Sequence, residues 1–145
     1  MSVAGVRRYL LVSIGGREVG LGIEHVLEVV DLAGTFHVPA QEPAMRGVVD
    51  VRGRLLPVFH LAAMLEGIEC PAARSDVGVL ARVGGVQVCL EIDAADAVVS
   101  EAVLPVPPGE RLPWAVGVAQ RDGTLVPILD IKALGARLLS AGARA

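Results

Sequence analysis

The feature that most constrains this chain is that its pattern is written twice. Gly15-Gly16 returns as Gly84-Gly85, followed in the same order by Val19 as Val88, Leu21 as Leu90, Ile23 as Ile92, and Val29-Val30 as Val98-Val99, all about 69 residues on. A second set, about 70 apart, relates Gly47-Val48 to Gly117-Val118, Gly53 to Gly123, Leu55 to Leu125, Pro57 to Pro127 and Leu61 to Ile131. One or two such matches arise by chance in a Val-rich chain. Their ordered succession marks an internal duplication, so the chain must solve one folding problem twice. Each copy of about seventy residues is marginal on its own. Burying Leu and Val between the copies, at about 1.5–3 kcal/mol for each side chain, is expected to weld them into one cooperative unit.

The copies read as short strands between glycine turns. Residues 9–14 form a strand and Gly15-Gly16 a tight hairpin turn. Val19, Leu21 and Ile23 then alternate with Gly20 and Gly22, leaving one face of the second strand without side chains, so other groups should lie close against it. Residues 23–30 mix periods: a helical turn leading into a strand and a single continuous strand both fit, and 26–30 is read as mainly extended. Gly34, Pro39 and Pro43 make 31–45 a connecting loop. Residues 48–51 and 55–61 flank Arg52-Gly53-Arg54 as a hairpin with a charged tip, and 60–66 predicts a short helix with Leu61, Met64 and Leu65 on one side and Gly67 as its stop.

In the second copy, residues 93–96 are expected to make a turn of helix and 103–113 a Pro-rich loop. Trp114 leads into a hairpin tipped by Arg121-Asp122-Gly123, and 132–139 closes the chain as a helix. Residues 68–76 read as the boundary, giving approximate lobes 8–70 and 76–139, between which strands can be exchanged, with flexible tails at 1–6 and 140–145. The fold class is mainly β: a pair of small antiparallel barrels with short helices rather than alternating βαβ units.

Composition excludes several functions. The chain is 53% hydrophobic but only 3% aromatic, so Val, Leu, Ile and Ala must build the core, and there is no aromatic platform for stacking bases. Net charge is −3, with Arg7-Arg8 the only adjacent basic pair, which argues against nucleic acid. Every apolar run is broken before the roughly 20 residues a spanning helix needs. No signal-peptide pattern opens the sequence, so a cytoplasmic protein without membrane insertion is expected. Cys70 and Cys89 lack C-x-x-C spacing and read as two reduced thiols.

Catalytic chemistry finds no home either. His25, His37 and His60 lack metal-ligand spacing, no serine has a G-x-S-x-G setting, and the glycine pairs lack the residues of a phosphate loop. No catalytic, metal or cofactor residue is nominated. The duplication is the better guide, because features kept in both copies serve the fold and features held by one copy are free to serve something else. Arg52 at the hairpin tip corresponds to Asp122, and Glu28 to Ala97. An exposed tip tolerates any polar residue. Yet an acid and a guanidinium confined to one copy can face one another, or a partner, as charge-assisted contacts at an interface rim do.

At this point the residues resemble a known family, the CheW-like coupling proteins of bacterial chemotaxis. The stretch Met45-Arg-Gly-Val-Val-Asp-Val-Arg-Gly-Arg-Leu-Leu-Pro-Val-Phe-His-Leu61 is similar to the family signature R-G-[VI]-[IV]-N-L-R-G-x-[VI]-[VIL]-P-[VI]-[IV]-D-L. Gly20-Leu-Gly-Ile-Glu-His-Val-Leu-Glu-Val29 and Gly117-Val-Ala-Gln-Arg-Asp-Gly-Thr-Leu-Val-Pro-Ile-Leu-Asp130 support it, and the likeness spans residues 9–139. The resemblance implies two SH3-like five-stranded barrels around a shared interface. It implies a non-enzymatic adaptor joining chemoreceptor cytoplasmic tips to the regulatory domain of a CheA-type histidine kinase. It also implies that Val26, Glu28, Gly47, Arg52 and Gly53 match receptor-binding positions. The sequence departs at Asp50-Val51 for Asn-Leu, at His60 for Asp, and at Val30 for a site often basic. Such changes leave room for a related pathway, such as one governing surface motility. A small-ligand sensor or enzyme using the cleft between barrels, with His60, is the remaining alternative.

Overall fold

The structure, a computed structural model, describes residues 5–40, 42–109 and 114–142. Ten strands run in the order β1 (Val6–Ile14), β2 (Arg17–Gly22), β3 (Val26–Asp31), β4 (Met45–Val51), β5 (Arg54–His60), β6 (Val77–Val83), β7 (Val86–Ile92), β8 (Ala94–Ala102), β9 (Ala115–Arg121) and β10 (Thr124–Leu129). A 3₁₀ turn, Ile23–His25, precedes β3, while α1 (Leu61–Glu66) follows β5 and α2 (Ile131–Gly142) follows β10. The mixed period of 23–30 is thus a helical turn followed by a strand.

Four hairpins use the same turn chemistry. Their central pairs all have φ between +48° and +85°: Gly15-Gly16, Arg52-Gly53, Gly84-Gly85 and Asp122-Gly123. A two-residue loop with both residues at positive φ matches the right-handed twist of the strands it joins. Helix α1 stops at Gly67, which takes the left-handed conformation with φ 70° and returns its N–H to Ala63 O.

The strands form two five-stranded sheets, ordered β8-β1-β2-β10-β9 and β3-β6-β7-β5-β4, which are the two SH3-like units expected. We call them barrel I and barrel II. They cut across the duplicated halves, because the β1–β2 hairpin completes a barrel whose other strands come from the second copy, and β6–β7 does the reverse. The exchange is reciprocal to the residue. Gly20 pairs with Ile128 in barrel I, and Cys89 pairs with Val58 in barrel II, the same contact at the repeat offset. Each outer pairing has a bulge at the same place, which skips Asp96 opposite Leu11/Val12 and Leu27 opposite Leu80/Ala81.

Each barrel closes through a short bridge beyond its edge strand. Phe36 exchanges backbone hydrogen bonds of 2.7 and 2.9 Å with Val48, and Leu104 exchanges two of 2.8 Å with Val118. That closure accounts for two repeated glycines. A Cβ on Gly47 would stand 1.9 Å from the carbonyl oxygen of Phe36, and one on Gly117 would stand 2.5 Å from that of Leu104. The bare face of β2 is also used: a Cβ on Gly20 would meet the Tyr9 ring at 2.7 Å and Ile128 at 2.6 Å.

Apolar packing follows this architecture. Leu32, Val49, Leu56, Val58, Leu80 and Cys89 fill barrel II, while Tyr9, Leu11, Ala119, Val126 and Ile128 fill barrel I. The largest cluster lies between the barrels, where Val12, Ile14, Leu21, Leu61, Met64, Leu90, Ile92 and Leu134 come from both copies.

Two expectations need correction. Residues 93–96 do not form a helical turn. Asp93 N–H donates to Ser13 O at 2.9 Å, its carboxylate accepts from Gly15 N–H, and Asp96 accepts from the Ser13 hydroxyl, so pairing with β1 satisfies groups that a helix would have satisfied locally. The tails are shorter than expected, since Val6 already pairs with Ala102 and α2 runs to Gly142. Residues 1–4, 143–145 and 110–113 of the Pro-rich loop lie outside the described residues.

Gly47→Ala is expected to destabilise the protein by at least about 2–3 kcal/mol, because backbone rather than a flexible side chain occupies the space. Gly34→Ala, with nothing within 4 Å of the new methyl, should unfold close to wild type in urea. Equal midpoints for the two variants would refute the closure argument.

Candidate partner-binding surface

Strand β3 and the β4–β5 hairpin tip meet at one end of barrel II. Along β3 the side chains alternate: Val26 packs against the inter-barrel core and Val30 against the barrel II core, while Leu27 and Val29 are 44% and 51% exposed. Glu28 lies between them, and its Oε1 accepts from the Arg52 guanidinium at 2.7 Å. The two charges confined to one copy therefore do face one another. The pair stays open to water, with side-chain exposures of 70% for Arg52 and 36% for Glu28. Hydrogen bonding to Glu28 holds the Arg52 guanidinium more firmly charged than usual.

Arg52 occupies a backbone position that suits it poorly. With φ 52°, it is one of two non-glycine residues at positive φ among those described, the other being Asp122 at the equivalent tip. Asp is a favoured residue there and Arg is not, so the guanidinium is kept at the tip against local preference. Beneath it Asp50 Oδ1 accepts the Gly53 N–H at 2.7 Å, and Gly53 completes the turn with φ 85°. Leu27, Val51, Arg52, Arg54, Leu56 and Leu80 line a shallow groove of ≈ 440 Å³ at this end, and Leu55 beside the tip is 69% exposed.

Of the five residues singled out from sequence, the structure brings together Glu28, Arg52 and Gly53, with Val26 two residues along the same strand. Gly47 belongs to the barrel closure. The departures from the family signature are absorbed by the fold. Asp50 accepts the turn N–H as an Asn would, and Val30 and Val51 pack on the barrel II core. His60 caps α1, its Nδ1 accepting the Ala63 N–H at 3.0 Å, as Asp130 Oδ1 accepts the Ala133 N–H at 3.1 Å before α2.

Sequence reading missed a buried ion pair. Arg46 Nε donates to Glu91 Oε1 at 2.8 Å and one terminal nitrogen to Oε2 at 3.1 Å. The remaining donors reach the carbonyls of Pro71 and Ala73, and Glu91 also accepts the Ser75 N–H at 2.9 Å. Side-chain exposures are 11% and 3%. A residual signal existed, because the repeat places Val116 opposite Arg46 and Gly22 opposite Glu91. A second missed group is Glu101, which pairs with Arg121 and accepts from the Tyr9 hydroxyl in barrel I.

Burial pushes the Cys89 thiol up to about 11 and raises Cys70 as well, so neither is a ready nucleophile. Among the described residues no group of His, Cys, Asp and Glu is placed to hold a metal ion, and no helix is long and apolar enough to cross a membrane.

The model of one protein family, described as the CheW-like domain, matches residues 8–138. The chain belongs to the CheW-like family. No curated protein matches it in sequence. Among solved structures it is similar to the scaffolding protein TtCheW from Thermoanaerobacter tengcongensis, with a TM-score of 0.77 and 21% identity, covering 90% of this chain and 92% of that one. At that identity the likeness is one of fold. Within this CheW-like chain the paired barrels are the fold shared with that structure.

His60 gives a pH signature. Burial, and to a lesser degree the Arg46 charge, lower its pKa below the usual 6.5, outweighing Glu91, Asp93 and Glu66, which act the other way. Only the neutral ring can accept the Ala63 N–H. The unfolded chain therefore takes up a proton before the folded one does, so this contribution is complete above pH 6.5 and is lost as pH falls from there toward the lowered folded value. The melting temperature of wild type is expected to fall over that window more than that of His60→Asn, which keeps a cap acceptor and does not titrate. Parallel profiles for the two proteins would refute this role.

Proposed function

We propose that this chain is a non-enzymatic adaptor that couples the cytoplasmic tips of chemoreceptors to a CheA-type histidine kinase. The observation that carries the reading is the Glu28–Arg52 pair, solvent-open, flanked by exposed Leu27, Val29 and Leu55, on a chain of the CheW-like family. A receptor helix tip presents apolar side chains interrupted by charge, and a groove edged by leucines with a displaceable ion pair suits the helix-in-groove mode. Val26 and Gly53 set the position of the pair, the first from the core side of β3 and the second as the turn residue that aims Arg52. A kinase regulatory domain would take a different face, leaving the receptor surface free. The cytoplasm is the compartment this role requires.

The alternative of a ligand sensor or enzyme working between the barrels is disfavoured by the packing there, since that junction holds the largest apolar cluster and His60 is engaged as a helix cap. The departures at Asp50, Val30 and His60 serve turn, core and cap, so they give no reason to prefer a surface-motility pathway.

Arg52→Glu places two carboxylates together and is expected to weaken receptor retention in a quantitative pull-down by at least about tenfold, or 1.4 kcal/mol of binding free energy, at an unchanged melting temperature. The swap Glu28→Arg with Arg52→Glu restores the pair and should recover part of the loss only if the pair itself, rather than Arg52 alone, is recognised. Receptor retention unaffected by Arg52→Glu would end this assignment.

A further inference from the structure

Position by position, one place that is filled in barrel II is not filled by any described residue in barrel I. In barrel II the space beside β4 and the end of β7 is occupied by the Arg46–Glu91 pair and the segment 71–75. Arg46 donates to the carbonyls of Pro71 and Ala73, and Glu91 accepts from Ser75 N–H. The equivalent residues in barrel I are Val116 and Gly22. Here Gly5 and Val6 stay bonded to β8, with Val103 N–H donating to Gly5 O and Val6 pairing with Ala102. Among the described residues, the place held by a strap in one barrel is a cleft of ≈ 340 Å³ in the other.

The cleft has an apolar floor and a cationic rim. Val116, 48% exposed, lies beside Ile128, Leu129 and Ile131, and Arg7, Arg8, Lys132 and His25 surround them. Two acids face the same space. Asp130 is engaged as the cap of α2, and Glu24 lies over Gly22 and contacts His25 at 3.5 Å. Arg7, Arg8 and Lys132 form no ion pair among the described residues, in a chain whose net charge is −3.

We propose that this cleft binds an extended, acidic segment of a partner protein. The 71–75 strap shows that a peptide lies in the equivalent place when polar groups there can hold its backbone. In barrel I an exposed valine replaces the arginine, and the free cations stand at the rim, so recognition passes from the backbone to acidic side chains of the incoming segment. The site is separate from the Glu28–Arg52 surface and does not depend on it.

The test is an amide-resolved NMR titration of the full chain with hexaglutamate, using a Gly-Ser hexapeptide and inorganic phosphate as controls. Shifts concentrated at Arg8, Gly22, His25, Val116 and Lys132, with hexaglutamate alone, are expected. Arg8→Glu and Lys132→Glu should each weaken binding by about tenfold at low salt, whereas Glu24→Gln should strengthen it by about threefold. A gain of affinity cannot come from a misfolded variant. Shifts centred on Arg52 and Arg54, no localised shifts, or equal shifts from phosphate would overturn the proposal. So would a deletion of residues 1–4 that by itself moves the same amides, since the chain's own N-terminus would then be the occupant.

Discussion

Neither barrel can be completed from a single copy of the repeat, because the first hairpin of each copy, β1–β2 or β6–β7, supplies the middle of the other's sheet. Central strands carry hydrogen bonds on both edges and bury side chains on the inner face, so withdrawing the exchanged hairpin would remove two ladders and much of a barrel interior at once. The cluster between the barrels adds to the same coupling, since Leu61 and Met64 from one copy pack with Leu90, Ile92 and Leu134 from the other. A seventy-residue copy would be marginal alone. The exchange converts two marginal units into one core that must form together.

On that shared frame, differences between copies become readable. Paired features such as the Gly47 and Gly117 closures, the skipped residues Leu27 and Asp96, and the caps His60 and Asp130 are geometric necessities met twice. His60 and Asp130 show that the necessity is an acceptor for one N–H rather than a particular side chain. Features met once are polar: Glu28 with Arg52, Arg46 with Glu91, and Glu101 with Arg121. The first pair is open to water and the second is almost sealed. A sealed, fully hydrogen-bonded pair fixes a segment in place, whereas a hydrated pair is weakly held and so is available for exchange with a partner's charges.

Surface and fold also divide the family signature between them. Gly47 and Gly53 lie within the stretch that resembles the family signature, yet each has a local reason to be glycine, namely a carbonyl against the missing Cβ and a turn at positive φ. Arg52 has no such reason, and its backbone conformation disfavours it. A residue retained against its local preference is the better functional marker.

The strands of the first copy, the four glycine turns, the stop of α1 at Gly67 and the two-barrel class were legible in the sequence, because alternation and turn chemistry act over a few neighbouring residues. The helical turn expected at 93–96 failed for the complementary reason: Asp93 and Asp96 are satisfied by Ser13 on β1 and Gly15 in the turn after it, some eighty residues away. Comparing the copies was enough to single out Glu28 and Arg52, but not to bring them within 2.7 Å, nor to bury Arg46 against Glu91. Those juxtapositions follow from which hairpin enters which barrel. That choice is made by the apolar area buried between strands far apart in the chain, a quantity that no local pattern of residues encodes.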